Sequence, residues 1–230
     1  MLKKRLVVLS GAGMSAESGL KTFRDADGLW EGHDVMEVAS VQGWRRNRGR
    51  VLDFYNQRRR QLREVEPNSA HRALADLEHD FQVQIITQNV DDLHERAGSS
   101  EVLHLHGELL KVRSTFDEGL IMDWKHDLNL GDFCEFNHQL RPHIVWFGEE
   151  VPLLPLAAQQ VSEADIVLIV GTSLQVYPAA SLMDYASAKA KLYYIDPKPA
   201  ISSSARLQVI AEPATVGVPI VVDQLRDTAS

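Results

Sequence analysis

The chain has one cysteine, Cys134, in 230 residues, so no intramolecular disulfide can form. A reducing compartment is the simpler expectation, and cytoplasmic the expected location. Long apolar runs are missing too, which argues against a membrane span or a membrane partner. After Lys3, Lys4 and Arg5 only residues 6–9 are apolar before a glycine loop, too few for the apolar stretch of a secretory signal. Positive charge is in deficit: 24 Lys and Arg stand against 32 Asp and Glu, a net −8. Phosphate backbones select the opposite sign, so no nucleic acid partner is expected. No internal repeat, low-complexity tract or linker interrupts the chain. What remains is a globular composition, 44% hydrophobic and 24% charged. It suits one large domain, or a domain carrying a small insertion.

Residues 6–9 are a short β-branched run that breaks into Gly-Ala-Gly-Met-Ser-Ala-Glu-Ser-Gly at 11–19. Gly11, Gly13 and Ala16 match the dinucleotide fingerprint G-x-G-x-x-A. The first glycine permits a tight turn, the second lets a pyrophosphate approach the backbone, and the third, small residue packs helix on strand. Alone the match is weak, since small residues follow strands in many α/β loops. Phe23 and Arg24 then stand where a plain helix would run on, and read as a loop carrying an aromatic lid and a cation to a nucleotide. Further strands are expected at 83–87, 102–105, 144–147, 166–170 and 192–195. Helices are expected at 50–65, from Asn68-Ser69 onward, and at 178–190; residues 25–50 read as loop and short helices, and 113–140 as irregular. The unbroken apolar run at 166–170 suits a parallel strand covered on both faces. Strands alternating with helices predict an α/β fold, a Rossmann-like doubly wound parallel sheet. Its ligands gather at the carboxyl ends of the strands, here Gly11, Gln88, His106, Gly171 and Asp196.

Gln88, Asn89 and Asp91 lie just past a strand end where a helix begins; Asn and Asp there could equally be helix caps. His104 and His106, two apart, fall on one side of a strand by its period of two. A metal pair is conceivable, yet no third ligand lies nearby in sequence. Taken in order, the glycine-serine loop at 11–19 with Phe23-Arg24, Thr-Gln-Asn-Val-Asp at 87–91, Leu-His-Gly at 105–107, Val-Trp-Phe-Gly-Glu at 145–149 and Gly-Thr-Ser at 171–173 resemble the sirtuin family of NAD-dependent protein-lysine deacylases. The resemblance runs from about residue 6 to 221. Leu-Arg-Pro-His-Ile-Val-Trp-Phe-Gly at 140–148 and Val-Tyr-Pro-Ala-Ala at 176–180 look like the bacterial and mitochondrial class that prefers acidic acyl groups.

The resemblance implies roles. In that family the acyl-lysine oxygen attacks the nicotinamide ribose, expelling nicotinamide. His106 would then take a proton from a ribose hydroxyl, and a neutral imidazole is the natural base near pH 7. Asn89 would bond the ribose and an ordered water, and Asp91 the carboxamide of nicotinamide. Gly13, Ser15 and Arg24 would hold the pyrophosphate, with Gly11, Ala12, Glu17, Ser18, Trp30, Gln88, Val90 and Gly171 around the cofactor. Phe23 would exclude water. Thr172, Ser173, Asp196, Pro197, Lys198 and Ala214 would meet ribose, phosphate or adenine. Residues 145–147 (Val145, Trp146, Phe147) would clamp the peptide by strand addition, with Gly148 and Glu149 on the same edge. Substrates would be acylated lysines of proteins or peptides.

Tyr55 and Arg58, at i and i+3 on one helix face, converge as phenol and guanidinium. That pair suits the carboxylate of a succinyl or malonyl group and serves a bare acetyl group poorly. Between Trp44 and Arg63 there are eight arginines against one acid, Asp53. Any one of them is usually a solvated charge, but the match of Tyr-x-x-Arg to the acidic-deacylase class favours the pocket.

The family pattern fails in two places. Most sirtuins hold a structural zinc with four cysteines; here Ser114 stands in for the first, and Cys134 with His126 and His138 lacks the paired spacing. No metal site is expected. A hydrophobic cluster of Phe116, Leu120, Ile121, Trp124, Leu128, Leu130, Phe133 and Phe136 is expected to replace it. Asp196 stands where the family usually has Asn, which favours NAD over NADP because a carboxylate repels a 2′-phosphate. The expected layout is a single catalytic unit. Its large domain spans about 1–30, 68–110 and 142–230; a small domain is inserted at 31–67 and 111–141, part of it a degenerate zinc ribbon without metal. A monomer is favoured. Two other readings stay open: an NAD-dependent protein ADP-ribosyltransferase, and a non-catalytic NAD or ADP-ribose sensor.

Overall fold

A computed structural model describes residues 3–21, 29, 30 and 32–227. Phe23 and Arg24 lie outside the described residues. The glycine loop is preceded by β1 (Arg5–Ser10) and followed by the single-turn helix α1 (Gly13–Ala16). Next come two short paired strands, β2 (Leu29–Trp30) and β3 (His33–Asp34), and a helical module of α2 (Val35–Val38), α3 (Val41–Arg46) and α4 (Arg48–Leu62). The chain then builds α5 (Ser69–Asp76), β4 (Gln82–Thr87), α6 (Leu93–Ala97) and β5 (Val102–His104). It leaves for a small antiparallel sheet, β6 (Gly107–Ser114), β7 (Ile121–Asp123) and β8 (Leu140–Ile144), and returns through α7 (Leu154–Ser162). β9 (Ile166–Val170), β10 (Lys191–Ile195), β11 (Leu207–Ile210) and α8 (Ala214–Asp227) complete it.

Six parallel strands stand in the order β11-β10-β9-β1-β4-β5. The chain moves outward from β1 in one direction, then returns to start again at β9. That is the doubly wound arrangement, with its reversal between β1 and β9. Side-chain alternation accounts for the two covered faces. Leu6 and Val8 of β1 join Ile166, Leu168 and Val170 of β9 in one apolar cluster. Val7 and Leu9 join Val167 and Ile169 in the other. A third cluster, with Phe54, Tyr55, Trp44, Leu109, Val112, Leu140 and Trp146, unites the helical module and the antiparallel sheet.

Four sequence expectations need correction here. Residues 113–140 are not wholly irregular: they share the three-stranded sheet β7-β6-β8. Its register sets Arg113 opposite Arg141, a like-charge pairing that no local rule would choose. The strand expected at 144–147 ends at Ile144 instead. The helix expected at 178–190 is a shorter 3-10 segment, Ala179–Tyr185. The expected apolar cluster does not replace the zinc: Phe116 is 62% exposed, Leu130 61% and Phe133 53%, and only Leu128 of the eight is fully buried.

Side-chain hydrogen bonds hold that lobe. The two Gln139 Nε2 hydrogens are shared among Asn129 O, Asp132 O and Leu140 O (3.0, 3.1 and 3.0 Å), and Gln139 Oε1 accepts from Gly131 N at 2.9 Å. Ser114 Oγ accepts from Phe116 N at 3.0 Å and lies 3.2 Å from the buried Cys134 Sγ. Asn56 on α4 brackets Leu128, donating to its O at 3.0 Å and accepting from its N at 2.8 Å. Arg59, in the arginine run, is 1% exposed and donates to Leu109 O at 3.1 Å and Asn56 Oδ1 at 2.7 Å. Among the described residues no group of three His, Cys, Asp or Glu could hold a metal ion, and no helix is long and apolar enough to cross a membrane.

Candidate nucleotide and acyl-lysine site

The carboxyl ends of β1, β4, β9 and β10 and the turn after β5 open on one cavity of about 660 Å³, within the range of ligand pockets. Gly11, Gln88, His106, Gly171 and Asp196 all line it. The glycines are required by a close approach of two loops. A Cβ on Gly13 would lie 2.7 Å from Gly171 Cα, and one on Gly171 (φ +61°) would lie 2.3 Å from Met14 N. The second glycine therefore makes room for the backbone of the neighbouring loop, and it also lines the cavity. Gly13 N donates to Gly171 O at 2.8 Å across that contact.

Behind the loop runs a buried polar chain. Asn89 Nδ2 donates to Gly11 O and Ser15 Oγ, both at 3.1 Å, and Ser15 Oγ donates to Asp91 Oδ2 at 2.9 Å. Asp91 Oδ1 accepts from Leu93 N, the first residue of α6, at 3.2 Å. Burial outweighs these bonds and raises its carboxyl to about 6. Gln88 Nε2 reaches across the reversal to Thr172 Oγ1 at 3.3 Å.

The two histidines part company. β5 ends at His104, and the chain turns at residues 105–106. The alternation that would have kept both on one side is broken there, and no metal pair forms. His106 lines the cavity; its Nδ1 faces Gln88 O at 3.0 Å. A carbonyl only accepts, so Nδ1 carries the proton and Nε2 of the neutral ring is a bare acceptor. Burial holds this imidazole below its usual value, so it is neutral at pH 7.

Tyr55, Arg58, Gln61 and Leu62 share one face of α4 and form part of the wall. The same period that paired Tyr55 with Arg58 could have added the last two. Arg58 lies over the Phe54 ring at 4.9 Å. Trp146 Nε1 donates to Tyr55 OH at 3.0 Å, and Arg141 sits 3.5 Å above the Trp146 ring. Glu149 accepts from both facing arginines, Arg113 at 3.2 Å and Arg141 at 2.6 Å, and from Trp146 N at 2.8 Å. Its carboxylate bridges the like-charge pair and offsets one of the two positive charges, and Glu149 also lines the cavity.

The edge expected to clamp a peptide, 145–147, uses its N–H groups within the chain. Val145 N donates to His106 O, Trp146 N to Glu149, and Phe147 N to Ala39 O, so all three N–H groups are already engaged.

Ala12, Trp30, Val90, Ser173, Pro197, Lys198 and Gly148 line the cavity. Glu17 lines it as well, yet its carboxylate accepts from Thr215 N at 3.0 Å and Thr215 Oγ1 at 2.6 Å. Ser18 faces Asn68 Nδ2 at 3.1 Å rather than the cavity. Ala214 is buried at the start of α8, and Pro213 lines the wall in its place. Leu20, Leu109, Val151 and Tyr177 also contribute; being apolar and scattered, they left no local signal.

The acceptors on this wall suit the hydroxyls of a nucleotide's sugars. Asn89 Oδ1 and His106 Nε2 have no bond among the described residues, and Asp196 uses Oδ1 for Lys198 N at 2.8 Å while Oδ2 stays available. A crevice of this kind at the strand reversal defines a dinucleotide-binding α/β protein. Residues 11–178 match the Sir2 family. Two Helicobacter pylori proteins, each named NAD-dependent protein deacylase, are similar: one is 69% identical over 195 residues (85% of this chain and 85% of that one). The other is 62% identical over 231 residues, covering 99% of this chain and 97% of its own. The crystal structure of a Sir2 homolog–NAD complex superposes with a TM-score of 0.86 at 36% identity, over 99% of this chain and 91% of that one. The chain belongs to the Sir2 family.

Proposed function

We propose that the chain is an NAD-dependent protein-lysine deacylase whose preferred acyl groups end in a carboxylate, succinyl and malonyl, with acetyl the weaker substrate. The first part follows from family membership and the name shared by its relatives. NAD, when bound, supplies the ADP-ribose that accepts the acyl group; one water is consumed, and nicotinamide, O-acyl-ADP-ribose and the free lysine amine are released. Asn89, Asp196 and His106 offer acceptors to its hydroxyls, Asp91 a carboxylate to its carboxamide, and Ser15 a hydroxyl to its pyrophosphate. The lone pair of His106 Nε2 takes a proton from a sugar hydroxyl, and the Nδ1–H bond to Gln88 O fixes the ring and steadies the charge it acquires. The Asp196 carboxylate favours NAD over NADP.

The acyl preference rests on one observation: Arg58 and Tyr55 stand together on the wall of the cavity that His106 also lines. Because Tyr55 OH already accepts from Trp146 Nε1, its own proton is left to donate. A cation and an O–H donor recognise a carboxylate and have little to offer a methyl group. The test is turnover with NAD on matched acetyl-, malonyl- and succinyl-lysine peptides, products weighed by mass spectrometry. For Arg58→Met, activity on the acidic peptides should collapse with acetyl turnover roughly kept. Equal loss on all three would remove the carboxylate pocket.

A further inference from the structure

His104 takes no part in the reaction described above, yet it is a 9% exposed residue with both ring nitrogens bonded. Nδ1 lies 3.2 Å from Asn89 O and Nε2 lies 2.6 Å from Glu95 Oε1. A carbonyl oxygen accepts and never donates, and so does an ionised carboxylate. Both nitrogens must then carry hydrogen, which makes the ring an imidazolium. The Glu95 side chain is 39% exposed, so water helps keep its carboxylate ionised. The two histidines thus hold successive carbonyls at the end of β4: His106 takes Gln88 O from the cavity, and His104 takes Asn89 O from behind it.

We propose that His104, an imidazolium paired with Glu95, is a positioning residue for the nucleotide site, fixing the Asn89 main chain and setting a positive charge behind the Asp91 carboxylate. The charged groups that face it are Glu95 of α6, Glu108 of β6 and Asp91 ahead of α6; the buried ring of His94 is the remaining titratable neighbour. Burial works against the charge on His104, but the bond and charge of Glu95 outweigh it and hold the ring above its usual value. Burial pushes His71, His94 and His106 the other way. Neutral base and fixed cation therefore sit two residues apart, each set by its partner: a carbonyl alone for His106, a carbonyl and a carboxylate for His104. The cation is one of the groups that pull the Asp91 carboxyl down against its own burial.

The inference rests on Asn89 and Asp91 as nucleotide-holding groups, and the test separates the two claims. Imidazole nitrogen NMR of the full chain without ligand should show His104 doubly protonated at pH 7.5 while His106 carries hydrogen on Nδ1 only. His104→Asn keeps an N–H donor and removes the charge; Glu95→Gln lets the ring titrate. Both variants should shift the acid limb of kcat/KM for NAD upward by about half to one pH unit, since one pKa unit corresponds to about 1.4 kcal/mol of interaction with the charge. NAD affinity by calorimetry should drop about three- to tenfold at pH 6 and hold at pH 8. A singly protonated His104 at pH 7.5 would overturn the proposal whatever Asp91 does. So would a loss in folded His104→Asn that is the same at every pH, which would mark a structural role only. If Asp91→Asn kept full activity, the reading of the site would fail while the NMR result for His104 could still stand.

Discussion

Asp91→Asn should stabilise the free protein at neutral pH while removing its activity. The carboxyl is 7% exposed, and burial lifts it from 3.8 to about 6 against the bonds from Leu93 N and Ser15 Oγ. A shift of about two units at about 1.4 kcal/mol each is about 3 kcal/mol. The folded state holds this proton more tightly than the unfolded chain does. The stability it contributes is therefore complete below pH 3.8 and is lost as pH rises through about 6. Above that, the ionised carboxylate costs the folded chain the whole difference. Asparagine has the same shape: its Oδ1 can accept from Leu93 N and its Nδ2 can donate to Ser15 Oγ. Urea denaturation should find the variant more stable by about 3 kcal/mol at pH 7.5 and by only about 1 kcal/mol at pH 4.5. Turnover of an acylated peptide should fall roughly 100-fold or more, as when a preorganised polar contact to the reacting ligand is removed. A variant less stable than its parent at pH 7.5, or a gain that ignores pH, would refute the claim that stability is sacrificed here to keep a buried charge.

His106→Tyr should abolish deacylation with NAD still bound; unimpaired turnover would refute the base assignment, and the parent's rate should fall once acid protonates Nε2. Gly171→Ala should cost roughly 2–4 kcal/mol, from the positive φ and the backbone it would strike; thermal melting reads the loss, and a neutral change would show that the two loops can separate. Gln139→Ala should lower stability by about 1–3 kcal/mol by stripping side-chain partners from four backbone groups, one of them, Leu140 O, buried. Prolonged dialysis against a chelator should leave the melting temperature of the parent unchanged, whereas stoichiometric zinc by atomic absorption would contradict the metal-free lobe.

Much of the large sheet was legible because parallel strands buried on both faces must be apolar throughout, as residues 166–170 are. The last strand and α8 were not. Gly217 and Pro219 look like helix breakers, but the glycine is there because a Cβ would meet Ile195 at 2.3 Å as the helix packs on β10. The small lobe was misread for a related reason. Aromatic density suggested a core, whereas what holds the lobe is a set of side-chain bonds from Gln139, Asn56 and Ser114 to backbone, at separations from 2 residues (Ser114 to Phe116) to 72 (Asn56 to Leu128), which leave no periodic trace. Arg59 and Arg58 adjoin in one cationic run; only packing sends the first into the lobe as a structural donor and the second to the cavity.

The amino-acid order alone determined the α/β class, the strand ends where a ligand would bind, and the residue types available there. Those follow from local rules: hydrophobic period, turn chemistry and motif spacing. Tertiary structure alone decided that two neighbouring histidines take different partners, His106 a carbonyl and His104 a carbonyl and a carboxylate, and that the Glu149 carboxylate bridges two facing arginines. Protonation state and partner choice depend on what the fold brings within about 3 Å, and the groups that meet there lie up to 198 residues apart along the chain.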